Sequence, residues 1–143
     1  MSRPKALLLD ADPTTRLRAV AGLRERWDIS AVDSDELPIK AARRLRPDII
    51  LVTVPRVGAR TALRTCRVLK TEPNQTWLIG VLDRTRRVTD PITAAEQWLA
   101  DGYLGGAYSD AELSTFAVDL HAGRKPVRAQ DAEASWLGRL LGR

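Results

Sequence analysis

Hydrophobic residues along this chain fall into two alternating kinds of stretch: short runs that are almost wholly apolar, and longer ones in which apolar residues return every three or four positions. The first run, Lys5 to Asp10 (KALLLD), reads as a strand that ends at an acid. Asp12 and Pro13 then supply an N-cap and a proline for the first turn of a helix. From Pro13 to Trp27, the residues Leu17, Val20, Ala21, Leu23 and Trp27 recur at spacings near three and four. They predict an inward helical face, with Arg16, Arg18, Arg24, Glu25 and Arg26 outside. Ile29 to Val32 is a weaker strand. Ser34 or Asp35 is the expected cap of a second helix, with Leu37, Ala41 and Leu45 inward, Pro38 in its first turn and Pro47 at its end.

Asp48 to Val54 (DIILVTV) is apolar on both faces and rich in β-branched residues, as a central strand of a parallel sheet must be. Pro55 to Gly58 forms a loop, and a third helix follows from about Ala59 to Lys70 with Ala62, Leu63, Cys66 and Leu69 on one face. Trp77 to Leu82 is a fourth strand and Asp83 to Asp90 a polar loop. Pro91 to Ala100 is a helix, Gly102 to Leu104 a short strand, and Asp110 to Ala122 a helix with Leu113, Phe116, Ala117 and Leu120 inward. Five strands alternating with five helices predict an α/β fold, a five-stranded doubly wound parallel sheet in a three-layer sandwich. Functional residues in such folds lie outside the carboxyl ends of the strands.

Composition narrows the chemistry. The 143 residues suffice for one domain with its own core. The lone Cys66 excludes an internal disulfide framework and reads as a small buried side chain, and the lone His121 excludes a histidine cluster, so no metal or cofactor is expected. No apolar run is long enough to cross a bilayer and no leader pattern opens the chain, so the expected location is cytoplasmic. The net charge is +5, but residues 1–123 hold 18 basic and 16 acidic side chains, whereas Arg124, Lys125, Arg128, Arg139 and Arg143 face two acids in the last 20 residues. A body so nearly balanced argues against a nucleic-acid footprint over the whole domain.

The segments KALLLDADP, RRLRPDIILVTVPRVGA, ALRTCRVLK and DGYLGGAYSDAEL resemble, in order and spacing, the receiver domain of bacterial response regulators, the CheY-like fold, over about residues 4–122. The resemblance implies a phosphoryl-accepting Asp at the end of the third strand, and the matching position is Thr53. A neutral hydroxyl supplies neither the carboxylate nucleophile nor a Mg²⁺ ligand. The family's acidic pair after the first strand is here Asp10-Ala11, with Asp12 next. Its hydroxyl residue at the end of the fourth strand is matched by Val81 or Leu82, or under another alignment by Asp83 or Thr85. Its lysine after the fifth strand is matched by Gly106.

The family's output face, formed by the fourth helix, fifth strand and fifth helix, would present Trp98, Tyr103 and Tyr108, although packed aromatics are equally expected there. On this reading residues 1–123 are the receiver-like domain, and residues 124–143 a linker and an amphipathic tail. The tail's Trp136, Leu137, Leu140 and Leu141 form an apolar patch at helical spacing. An isolated helix of about 12 residues is marginal in water and needs a surface, which could be the body, an anionic membrane or, the favoured choice, a partner protein. The sequence thus reads as a non-enzymatic pseudo-receiver in bacterial signalling, motility or a regulatory assembly. It acts by protein contact, without phosphorylation, and no nucleic acid is expected. The alternatives are a receiver switched by a small ligand or ion near Asp10 and Asp12, and a nucleic-acid-associated regulator.

Overall fold

Strand β1 (Lys5–Leu9) lies between β2 (Asp28–Val32) and β3 (Ile49–Thr53), and the sheet continues through β4 (Leu78–Asp83) and β5 (Gly102–Gly106) to β6 (Val127–Gln130). All five pairings are parallel. The structure is a computed structural model that describes residues 3–9, 13–32, 37–55, 59–73, 75, 77–84 and 91–130. Five helices connect the strands: α1 (Pro13–Leu23), α2 (Pro38–Leu45), α3 (Ala59–Thr71), α4 (Pro91–Trp98) and α5 (Asp110–His121).

Two apolar layers flank the sheet, because side chains of a strand alternate between faces. Leu7, Ile50, Val52, Ile79, Val81 and Tyr103 face α2, α3 and α4 through Ala41, Ala42, Ala62, Cys66, Leu69 and Trp98. Leu8, Ile49, Leu51, Leu82 and Leu104 face α1 and α5 through Ala19, Leu23, Leu113, Phe116 and Leu120. Strand β3 is buried along its whole length, as its unbroken apolar run requires. Helix α5 opens on a capping box: Ser109 Oγ accepts from the Glu112 amide and Glu112 Oε1 from the Ser109 amide, each at 3.1 Å.

The sheet has six parallel strands rather than five. The segment read as a linker turns at Gly123, whose φ of 76° suits glycine, and pairs with β5 in the register Tyr103↔Val127, Leu104↔Arg128. Asp119 on α5 secures the return, accepting from Arg124 Nη1 at 2.7 Å and from Arg128 Nη2 at 3.2 Å. The first helical expectations also shift. Leu17 is 71% exposed, because at 3.6 residues per turn it stands about 160° around α1 from the buried Ala19. Helix α2 is capped at Leu37, not at Ser34 or Asp35. Pro38 occupies its first turn and keeps the preceding residue extended (φ −65°, ψ 127°), which leaves Leu37 58% exposed instead of inward.

Candidate functional site: the carboxyl edge of the sheet

Strands β3, β4 and β5 end at Thr53, Asp83 and Gly106, and the register Thr53↔Leu82 and Asp83↔Gly105 brings these ends to one edge. Thr53 is 8% exposed and follows the parity of Ile49 and Leu51, toward α1 and α5. Its Oγ1 is buried without a hydrogen-bond partner. The acidic pair position Asp10-Ala11, and Asp12 with it, lies outside the described residues, as do the tail residues Trp136, Leu137, Leu140 and Leu141.

Strand β4 runs past Val81 and Leu82 to Asp83. Val81 is therefore an interior strand residue, fully buried among the apolar side chains under α3 and α4, and cannot be the strand-end group. Asp83 takes that place. It is 1% exposed, and its Oδ2 accepts from the Tyr103 hydroxyl at 2.7 Å. A carboxylate held under the sheet edge needs donors of this kind, since an unpaired buried charge costs several kcal/mol in magnitude. Arg84, the next residue, crosses to the loop before α5. Its guanidinium carbon lies 4.0 Å from the centre of the Tyr108 ring and its Nη2 donates to the Tyr108 carbonyl at 2.8 Å.

Gly106 has φ 81°, in the left-handed region that a lysine would enter only with strain. The backbone at the end of β5 is thus shaped for glycine, and no ammonium group stands there. Trp98, Tyr103 and Tyr108 are all buried, at 6%, 1% and 4% exposure. They are packing residues of the two layers rather than surface contacts, and β6 covers the edge of β5 that an exposed output face would need. Cys66 is fully buried and desolvation pushes its thiol up to about 12, the state of an inert packing residue. His121 is exposed and meets the Trp27 ring edge to face at 5.3 Å. Among the described residues no group of three His, Cys, Asp or Glu could hold a metal ion, and no helix is long and apolar enough to cross a membrane.

Sequence reasoning named Asp83 as an alternative but had no means to find its tyrosine partner. The signal was the parity of β4 and β5, which puts Asp83 and Tyr103 on the same face of adjacent strands once β4 is extended by one residue.

No protein-family model and no curated protein matches the sequence. Solved structures do match. The N-terminal domain of the nisin resistance regulator NsrR, a lantibiotic response regulator, superposes with a TM-score of 0.70 at 16% identity, over 84% of this chain and 99% of that one. A response regulator from Chloroflexus aurantiacus gives 0.70 at 20% identity, covering 85% and 99%. The chemotaxis response regulator CheY4 of Vibrio cholerae gives 0.68 at 15% identity, covering 83% and 99%. The chain has the fold of the response-regulator receiver domains of two-component signalling proteins, extended by a sixth strand.

Proposed function

We propose that this chain is a pseudo-receiver, a receiver-fold module that signals by protein contact and accepts no phosphoryl group. The observation that carries the reading is Thr53, which closes β3 where a phosphoryl-accepting carboxylate would have to stand. Forming an acyl phosphate takes a carboxylate nucleophile and a metal held by neighbouring acids. A hydroxyl without a general base does neither, and Asp83, on the opposite face at the end of β4, is engaged by Tyr103. Gly106 supports the same reading, because glycine has no side chain to pair with phosphoryl oxygens and its φ of 81° disfavours a lysine there.

With Trp98, Tyr103 and Tyr108 packed inside, the contact elements that remain from the sequence are the tail residues Trp136, Leu137, Leu140 and Leu141, with the exposed Leu99 and Val118 on the α4 and α5 side of the body. An apolar patch at helical spacing suits a groove on a partner protein. The test is incubation of the full chain with a small acyl-phosphate donor and Mg²⁺, followed by trapping of base-labile phosphoaspartate. The expected result is no label, and a stoichiometric aspartyl phosphate would overturn the reading. Deleting residues 131–143 should abolish partner capture from the native cell while the body stays folded. Retained capture would remove the tail from the mechanism.

A further inference from the structure

The near balance of charge in the body conceals a segregation by face. Residues 37–73 hold nine basic side chains and two acidic ones, Asp48 and Glu72, whereas residues 91–123 hold five acidic side chains and no Lys or Arg. The fold places six of these cations, Lys40, Arg43, Arg44, Arg60, Arg64 and Arg67, on one surface, because α2 and α3 pack side by side on the same layer of the sheet. On α3, Ala62, Cys66 and Leu69 turn inward, so Arg60, Arg64 and Arg67 form the opposite stripe at intervals of four and three. On α2, Ala41 and Ala42 turn inward, and Lys40, Arg43 and Arg44 are exposed. Arg43 pairs with Glu72. Among the described residues Lys40, Arg60, Arg64 and Arg67 have no carboxylate partner.

Three of the five acids in residues 91–123 are engaged locally. Asp101 binds Lys70, Asp119 binds Arg124 and Arg128, and Glu112 closes the capping box. Among the described residues, therefore, no acid offsets the positive field at Lys40, Arg60, Arg64 and Arg67, and this surface calls for an anion from outside.

We propose that the outward face of α2 and α3 binds the sugar-phosphate backbone of duplex nucleic acid, a property separate from the protein contacts and the absent phosphoryl chemistry argued above. Its composition favours phosphate over other anionic surfaces. Arginines supply five of the six cations on the two stripes, the same share as in the chain at large, and their planar forks match phosphate oxygens. The chain has no aromatic residue between Trp27 and Trp77, so the surface lacks the ring anchors of a protein interface or a membrane-inserting helix. The α3 stripe extends about 10 Å at 1.5 Å per residue, the length of about three duplex steps of 3.4 Å. Nothing on the face is built to read bases, so binding is independent of sequence and carried by released counterions.

The test is fluorescence anisotropy of a labelled DNA duplex of roughly 30 base pairs with the full chain, across 50 to 200 mM salt. Neutralising about four phosphates, one for each of Lys40, Arg60, Arg64 and Arg67, gives a log–log salt slope near −3.6, hence about a 150-fold loss of affinity over that range. The triple variant R60Q/R64Q/R67Q should reduce the magnitude of the slope by about 2.7 and weaken binding by at least about tenfold at 50 mM salt. The triple variant R18Q/R24Q/R26Q removes the same charge from exposed positions on α1 and the turn that follows it, and leaves the tail intact, as the first does. It should bind as the parent does. Circular dichroism checks that both variants are folded. Equal losses in the two variants, no binding at 50 mM salt, or equally tight binding to polyglutamate or to vesicles rich in phosphatidylglycerol would each overturn the proposal.

Discussion

Tyr103 and Asp83 stand on adjacent strands, and the tyrosine hydroxyl donates to the aspartate over 2.7 Å inside the layer covered by α4. The bond fixes the tyrosine ring inward and gives the carboxylate at the end of β4 a donor it cannot take from solvent. Tyr103→Phe keeps the ring and removes the donor. It should cost about 1–3 kcal/mol, the range for stripping a partner from a buried charged group. Chemical denaturation measures this, and an unchanged midpoint would show that the bond contributes nothing.

Strand β6 is held against β5 by backbone contact, and Gly102 is where that contact is tightest. A Cβ there would lie 3.0 Å from the Pro126 carbonyl oxygen and 3.0 Å from Phe116 Cζ. Gly102→Ala should therefore push β6 outward and lengthen the bond from the Tyr103 amide to Pro126 O, now 2.9 Å. Hydrogen exchange should quicken at the amides that join β5 and β6 while β1 and β3 keep their protection. Unaltered exchange at Tyr103 would refute this account.

At the amino ends of β4 and β5, Asp101 Oδ2 accepts from Lys70 Nζ at 2.7 Å and from the Ile79 amide at 2.8 Å. The pair is partly buried, so truncation leaves both an ammonium group and an amide without this acceptor. Asp101→Ala should destabilise by about 1–3 kcal/mol. Lys70→Met keeps the aliphatic stem and should cost less, because the Ile79 amide retains its bond. The reverse order in a denaturation series would sink the explanation.

Burial pushes the Cys66 thiol from 9.0 up to about 12. Below pH 9 the thiol is protonated in folded and unfolded chains alike and contributes no pH dependence. Between pH 9 and about 12 the unfolded chain releases this proton and the folded one holds it, so stability falls as pH rises. Native protein at pH 8 should resist alkylation until denaturant is added, and Cys66→Ala should flatten the alkaline limb of the stability profile. Rapid alkylation without denaturant would contradict the burial.

Much of this fold is legible in the residues. The run Ile49–Thr53 allows no half-exposed strand, and Leu113, Phe116, Ala117 and Leu120 fit one helical face and are all buried. The failures have physical causes. Leu17 joined the inward set because spacing near three and four was counted without fixing its angle to Ala19, and exposed leucines are common enough that composition could not correct it. Strand β6 was missed because VRAQ alternates apolar and polar residues over only four positions, just after Gly123 and Pro126, and so reads as a linker. Its pairing comes from the Gly123 turn, the Pro126 carbonyl and the two arginines on Asp119, all of them tertiary. The site was read as a set of missing groups. The bond between Asp83 and Tyr103 needed the register of two strands that no local pattern supplies.

The sixth strand also decides where the chain leaves the sheet. Helix α5 runs back toward the amino ends of the strands, and a chain released after Gly123 would depart from that side. By pairing Gln130 with Gly106, β6 carries the backbone back up the sheet and brings Gln130 to the edge where Thr53 and Asp83 lie. A segment joined beyond Gln130 starts its path from the carboxyl edge of the sheet rather than from the amino ends, so an odd or even number of strands after α5 sets the side from which the chain continues.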